Sequence, residues 1–222
     1  MADKITIRDC YGNGWQRLRK HFKPLLLSFI IYLLLNLPSA IPYHHLRVAY
    51  VFLVALPLSY GFFYICLKAV RDEKFELRDL FAPFRNNYPN VLAAVILTSV
   101  ILGLISTFVF LVSFLFSVIL MAAPLLTPLV VALLAFPLLY YISRVSFVPY
   151  LVMDKKIEAL KSVLISWEAT KKYVWQIFFM ILLAIPIMVA GLICLVVGII
   201  PAIILVWLAI SYMYDSVKII VD

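Results

Sequence analysis

From Asn86 to Ser143 the chain runs for 58 residues without one Asp, Glu, Lys or Arg, and from Tyr173 to Tyr214 for another 42. A helix of about 20 apolar residues crosses the roughly 30 Å hydrocarbon core of a bilayer. Each run is therefore long enough for two spans joined by a tight turn. Proline and glycine place those turns near "MAAPLLTP" (Met121–Pro128) and "VGIIP" (Val197–Pro201). Shorter apolar runs after Lys23 and Arg47 add two more, giving spans at about 24–43, 47–68, 89–119, 126–150, 174–197 and 200–217. Composition agrees. The chain is 66% hydrophobic and 14% charged, where a soluble domain has about 45–50% and about 25%.

Charge placement tests the count independently. Lys4, Arg8, Arg17, Arg19, Lys20 and Lys23 precede the first span. Lys68, Arg71, Lys74, Arg78 and Arg85 lie between the second and third. Arg144, Lys155, Lys156, Lys161, Lys171 and Lys172 lie between the fourth and fifth, and Lys218 follows the sixth. Of 19 Lys and Arg, only Arg47 falls on the opposite side. An excess of Lys and Arg marks the cytoplasmic face, so both termini are expected inside. Three spans in the longest run would reverse the next basic segment and destroy this asymmetry. The net charge of +8 is accordingly read as topology and attraction to anionic lipid, not as a nucleic-acid surface. A cleaved signal peptide is not expected, because the polar lead is long for one. Cys10, Cys66 and Cys194 are too scattered for a disulfide framework or a zinc site.

The predicted fold is an all-α integral membrane protein, six transmembrane helices as three hairpins with cytoplasmic amphipathic helices between them. The segments that open the three hairpins end alike, in "KHFKPLLLSF", "NNYPNVLAAV" and "KKYVWQIFFM". A threefold repeat gives this pattern, and so does the preference of aromatic residues for the headgroup level. One interfacial helix is expected over about 154–172, with Ile157, Leu160, Leu164 and Trp167 as an apolar stripe at helical spacing. Asp154 is its expected cap, Ser162 belongs to its polar surface, and Glu168 pairs with Lys171 or Lys172 one turn on. Such a helix lies in the headgroup layer, so Lys155, Lys156, Lys161, Trp167, Lys171 and Lys172 are the candidate lipid or partner contacts. A plain structural elbow between hairpins fits the same pattern. A second interfacial helix is expected over about 74–86, with Phe75, Leu77, Leu80, Phe81 and Phe84 apolar.

Ionisable groups at membrane depth are costly and usually functional. Here all eleven acids fall in the inside segments or at a span's inner end. No catalytic, cofactor-binding or metal-binding residues are therefore assigned. His44 and His45 are adjacent, point apart on a helix and have no third ligand nearby in sequence, which suits an interfacial turn better than a metal site. Pro38, Pro42, Pro57, Pro137, Pro149 and Pro186 are read as packing kinks. Ser99, Gly103 and Thr107 set small residues four apart on the third span, a seam for close helix contact within the chain or between subunits.

Two passages carry a family likeness: "LSYGFFYICLKAVRDEKFELRDLFAPFRNN" and "FVPYLVMDKKIEALKSVLISWEATKKYVWQIFFMILL". With the closing "VVGIIPAIILVWLAISYMYD", they make the chain resemble the YciC-like six-span bacterial proteins and the membrane domain joined to some glycerophosphoryl diester phosphodiesterases. The pattern departs at "TKKY", where relatives often carry a glycine and an asparagine. The resemblance implies the six-helix fold and a bacterial inner membrane. It implies no catalysis, since the phosphodiesterase activity belongs to a separate soluble barrel. The expected function is a non-enzymatic membrane module that binds lipid, anionic lipid included, or a membrane protein partner, another copy of itself among them. A small transporter or flippase-like subunit for an apolar or amphiphilic substrate is the alternative.

Overall fold

A computed structural model describes residues 6–40, 42–85, 87–119, 127–193 and 198–217, without the side chains of 117–119 and 127–134. Residues 121–126 and Val197 of the expected turns, together with Asp3, Lys4, Cys194, Lys218 and Asp222, lie outside the described residues. The described chain is helical and contains no strand: α1 (Ile7–Lys20), α2 (Phe22–Asn36), α3 (His44–Tyr50), α4 (Leu56–Val70), α5 (Ala82–Arg85), α6 (Tyr88–Ile119), α7 (Thr127–Val145), α8 (Val148–Asp154), α9 (Ala159–Thr170), α10 (Val174–Ile193) and α11 (Ile199–Val217). Six stretches are long and apolar enough to span a membrane: Phe22–Ala40, His44–Val70, Tyr88–Phe116, Ala135–Asp154, Val174–Ile193 and Ile199–Val217. The protein is thus built as a multi-pass membrane protein.

Burial alternates along these six. The second, fourth and sixth are 50%, 50% and 44% buried, against 17%, 6% and 28% for the first, third and fifth. The first, third and fifth spans are thus the outer, more exposed ones, and the second, fourth and sixth the inner, more buried ones. At the centre stands α4, whose Leu58, Phe62, Ile65, Cys66, Leu67 and Ala69 are fully enclosed. Trp207 of α11 meets the rings of Phe62 and Phe63 at 4.9 and 5.2 Å between centroids, and Phe29 of α2 completes the aromatic cluster. α8 is wrapped on every side, with Val148, Tyr150, Leu151, Val152 and Met153 all buried.

The segment after α4 differs from expectation. Residues 74–86 make no single amphipathic helix but a 3₁₀ turn over Leu77–Phe81 followed by the one-turn α5. Its apolar residues divide between two sides. Phe75, Leu80 and Phe84 pack on the core, while Leu77 and Phe81 are exposed. The cause is Gly61 in α4. A Cβ there would overlap the Leu80 carbonyl oxygen and lie 2.8 Å from its carbon, so only glycine lets this backbone dock. Leu80 is pulled in, and Lys68 fixes the turn through Asp79 at 3.0 Å.

Pro57 also has a structural consequence. It offers no N–H to the Leu53 carbonyl one turn back, and the helix loosens into a π-turn over Val51–Ala55. The Tyr88 hydroxyl, from the start of α6, donates to that freed carbonyl at 2.8 Å. In the apolar layer an unpaired carbonyl would have no water to turn to.

The polar lead is itself a helix, α1. Ile7, Cys10, Tyr11, Gly14 and Leu18 form its inner stripe, and Gly14 lies against the backbone of α11, where a Cβ would come within 3.3 Å of the Ala209 nitrogen. Tyr11 donates to the Met180 carbonyl of α10 at 2.8 Å. Burial pushes the Cys10 thiol up to about 12, so it is a packing group and not a nucleophile.

Among the described residues, the small-residue seam expected on α6 meets no neighbouring helix of the same chain at its middle. A Cβ on Gly103 would meet nothing within 4 Å, and Thr107 is exposed. Ser99 lines a cleft instead.

Candidate interaction face at the basic side

α9 starts later than expected. Asp154 ends α8, and Glu158 occupies the N-cap position of α9. The clamp at that N-terminus comes from α6. Asn90 donates to the Ile157 carbonyl at 2.7 Å and accepts from the Ala159 N–H at 2.6 Å. Loss of one side chain would therefore strand a donor and an acceptor. Asn90→Ala is expected to lower stability by about 2 kcal/mol in detergent, read as a fall in thermal midpoint, whereas Asn90→Asp keeps the acceptor and should cost less.

The docked face of α9 is made of small and hydroxyl residues, not of its leucines. Ala159, Ser162, Ser166 and Thr170 are buried. Ser162, placed on the polar surface by its chemistry, is fully enclosed because its hydroxyl turns back to the Ala159 carbonyl at 2.7 Å. Ser166 and Thr170 both reach the Arg144 carbonyl, at 2.7 and 3.3 Å. Small side chains bring the helix close, and hydroxyls satisfy their neighbours. Leu160, Leu164 and Trp167 are consequently left facing outward, 62%, 62% and 40% exposed. Lys155, Lys156, Lys161, Lys171 and Lys172 are exposed around them. Glu168 pairs weakly with Lys171, at 3.9 Å. The residues expected as contacts are thus all exposed.

Asp154 serves another purpose. Arg71, just after α4, grips it with two hydrogen bonds of 2.7 and 3.0 Å and sends its Nε–H to Asp215 of α11 at 2.7 Å. The Tyr214 hydroxyl adds a donor to Asp154 at 3.3 Å. One guanidinium joins the basic-side ends of the three inner spans. The Asp154 hydrogen bonds, with Asp215 behind them, hold Arg71 protonated well above its ordinary range.

Next door, Asp72 takes Arg17, Lys20 at 2.7 Å and His21 at 3.0 Å, tying the end of α1 to the end of α4. The Asp72 carboxylate would raise the pKa of His21 if it were alone. Two cations already share it, and burial, then Lys20, then Arg17 lower the imidazole from its ordinary 6.5. A base held below its unfolded value stabilises the fold above about pH 6.5, and that contribution is lost as acid protonates it. Wild-type protein should therefore lose more thermal stability than His21→Gln when pH falls from about 7 to about 5.

Arg144 at the end of α7 is only 7% exposed. Its Nε and Nη2 donate to the Tyr140 hydroxyl at 3.1 and 2.9 Å, and Nη1 donates to the Trp167 carbonyl at 2.8 Å. Its charge lies 5.2 and 4.8 Å from the Tyr140 and Trp167 ring centroids.

Further into the bundle, Tyr60, Thr98, Ser99 and Tyr141 line a cleft of about 210 Å³ with Leu102, Ile142, Val145 and Pro149. No charged residue is among its lining. His44 and His45 are exposed with rings nearly perpendicular, and the described residues contain no cluster of three metal-binding side chains.

Sequence reasoning missed α1, the Arg71 clasp, the Asn90 clamp and Arg144. Part of the signal was available. "TIRDC" and "ELRDL" share an N-cap acceptor, an Arg-Asp pair and an apolar fifth residue, and both carry a capping box closed by the aspartate, Asp9 or Asp79. "EALKS" holds the third such place, and the fifth residues Cys10, Leu80 and Ser162 are all fully buried.

The fold and this face define a class, a helical multi-pass membrane protein with a cross-braced basic side. Comparison with known proteins adds no name: no family model, no curated protein and no solved structure matches the chain.

Proposed function

We propose that the protein is a non-enzymatic membrane module of the YciC-like kind, embedded in a bacterial inner membrane, that binds anionic lipid through α9 at its cytoplasmic face. The six spans are grouped as three hairpins, both termini are cytoplasmic, and the exposed stripe of α9 sits at the acyl boundary. One observation carries this reading: α9 docks through serine, threonine and alanine while Leu160, Leu164 and Trp167 face outward among five exposed lysines. Apolar side chains left outside a docked helix gain most by entering lipid, and each lysine near an anionic surface adds about 1 kcal/mol.

Nitroxide labels on full-length protein test it. With the native cysteines replaced, Leu164→Cys and Lys161→Cys are labelled and reconstituted in bilayers with and without phosphatidylglycerol. The label at 164 should be accessible to oxygen and shielded from a water-soluble relaxation agent, and the label at 161 the reverse. Equal exposure of both to water would end the proposal. The transporter reading draws on the hydroxyl-lined cleft between α4, α6 and α7. It requires Tyr60→Phe with Tyr141→Phe to abolish uptake of an amphiphile into vesicles.

A further inference from the structure

We infer that Arg144, Tyr140 and Trp167 form a binding site for the phosphate group of a single anionic phospholipid. This rests on the reading of the α9 face as lipid-facing and adds to it a defined headgroup site. The starting point is charge balance. Arg144 is more than nine-tenths buried, yet among the described residues it has no carboxylate partner. The partly buried Lys68, Arg17 and Arg71 of this face each have one: Asp79, Asp72, and Asp154 with Asp215. A buried charge without a counter-charge is costly, and proteins rarely leave one so.

What Arg144 does have is neutral. The Tyr140 hydroxyl takes two of its N–H groups and the Trp167 carbonyl takes one. A guanidinium carries five N–H donors, so two are left over. The Trp167 carbonyl belongs to the last turn of α9, whose dipole offers about half a negative charge and no more. The ring faces of Tyr140 and Trp167, 5.2 and 4.8 Å away, add a partial attraction and no net charge, so a full counter-charge has to come from an anion rich in acceptor oxygens. Phosphate meets this description, and arginine is the side chain that grips it by paired N–H bonds.

The surroundings select a lipid over a free ion. Trp167 is exposed beside Leu160 and Leu164, which gives acyl chains an apolar floor next to the charge. Thr170 donates to the Arg144 carbonyl, and the exposed Lys171 and Lys172 follow it directly in the chain. Buried cation, aromatic walls and apolar floor together match a headgroup with its chains attached.

The test uses full-length protein in mild detergent, with native mass spectrometry counting bound phosphatidylglycerol and phosphatidylcholine. Wild type should retain one phosphatidylglycerol that survives about 0.5 M salt, where exposed charges are screened within a few ångströms. Arg144→Gln should bind it at least tenfold more weakly, and Arg144→Lys should fall between. Inorganic phosphate should not displace the lipid, and displacement would identify a free-phosphate site and overturn the lipid assignment. Undiminished retention by folded Arg144→Gln would refute the site. Should Arg144→Gln not fold, wild type alone decides: phosphatidylglycerol must raise its thermal midpoint more than phosphatidylcholine, and equal shifts would refute the site. Failure here with the label at 164 still buried in lipid would leave the α9 reading standing. A water-exposed label at 164 would remove both.

Discussion

Replacing Arg71 with alanine is expected to be among the most damaging single changes outside the aromatic core. The variant keeps two carboxylates, Asp154 and Asp215, that wild type holds on one guanidinium at 2.7 Å each. Removing one partner of a fully buried ion pair costs about 3–5 kcal/mol. Arg71 and Asp215 remain 29% and 37% exposed, so solvent screening reduces the expected loss to about 2 kcal/mol. Thermal unfolding in detergent measures it. The diagnostic result lies in combination. Asp154→Asn with Asp215→Asn should recover part of the Arg71→Ala loss, because the repulsion disappears with the charges. Additive losses would mean that the three residues stabilise the face independently. The same geometry predicts that neutralising either acid weakens the bundle and does not merely silence an activity.

The second large effect belongs to Gly61→Ala. One methyl group would have to occupy the space of the Leu80 carbonyl, and backbone on both sides resists the shift. Overpacking costs about 1–3 kcal/mol where side chains can adjust, so about 3 kcal/mol or poor accumulation in the membrane is expected here. Gly103→Ala, on an open face of α6, serves as the control and should be close to neutral. If both glycines tolerated alanine equally, the turn over Leu77–Phe81 would not be seated on α4 as described.

The membrane-spanning part of this architecture was legible in the sequence because it follows from one local quantity, the absence of charge over long runs. Of the expected stripe, Leu160, Leu164 and Trp167 do face outward, legible because helical spacing is local, whereas Ile157 precedes α9 and packs on the core. The bracing was not. Arg71 meets Asp154 and Asp215 across 83 and 144 residues, and nothing near any of them announces its partner. Ser162, Ser166 and Thr170 look polar and solvent-facing until a neighbouring helix supplies carbonyls and demands small side chains. The interfacial helix expected over 74–86 failed on a property of a distant residue, the missing side chain of Gly61. α1 left a legible signal. Ile7, Cys10, Gly14 and Leu18 recur at helical spacing, but the basic residues between them give the segment the composition of a simple polar lead.

The alternation of buried and exposed spans joins these points. Each outer span is preceded by a capped or clamped segment, α1, the Leu77–Arg85 stretch or α9, and each inner span ends in one member of the Arg71, Asp154 and Asp215 clasp. Three such units closing on a shared ion cluster suggest a reason for keeping charge at one side of so apolar a chain. The charge fastens the inner spans together, while the lysines of α9 stay exposed.

That account stands on all of these segments lying on one side of the bilayer, and cysteine accessibility measures this most directly. With Cys10, Cys66 and Cys194 replaced, single cysteines at His44→Cys, Glu73→Cys and Lys156→Cys are treated in intact cells with an impermeant thiol reagent. The position at 44 should label from outside, while those at 73 and 156 should label only after the membrane is opened. Labelling at 156 in intact cells, with 44 protected, would contradict the topology and with it the lipid-binding face.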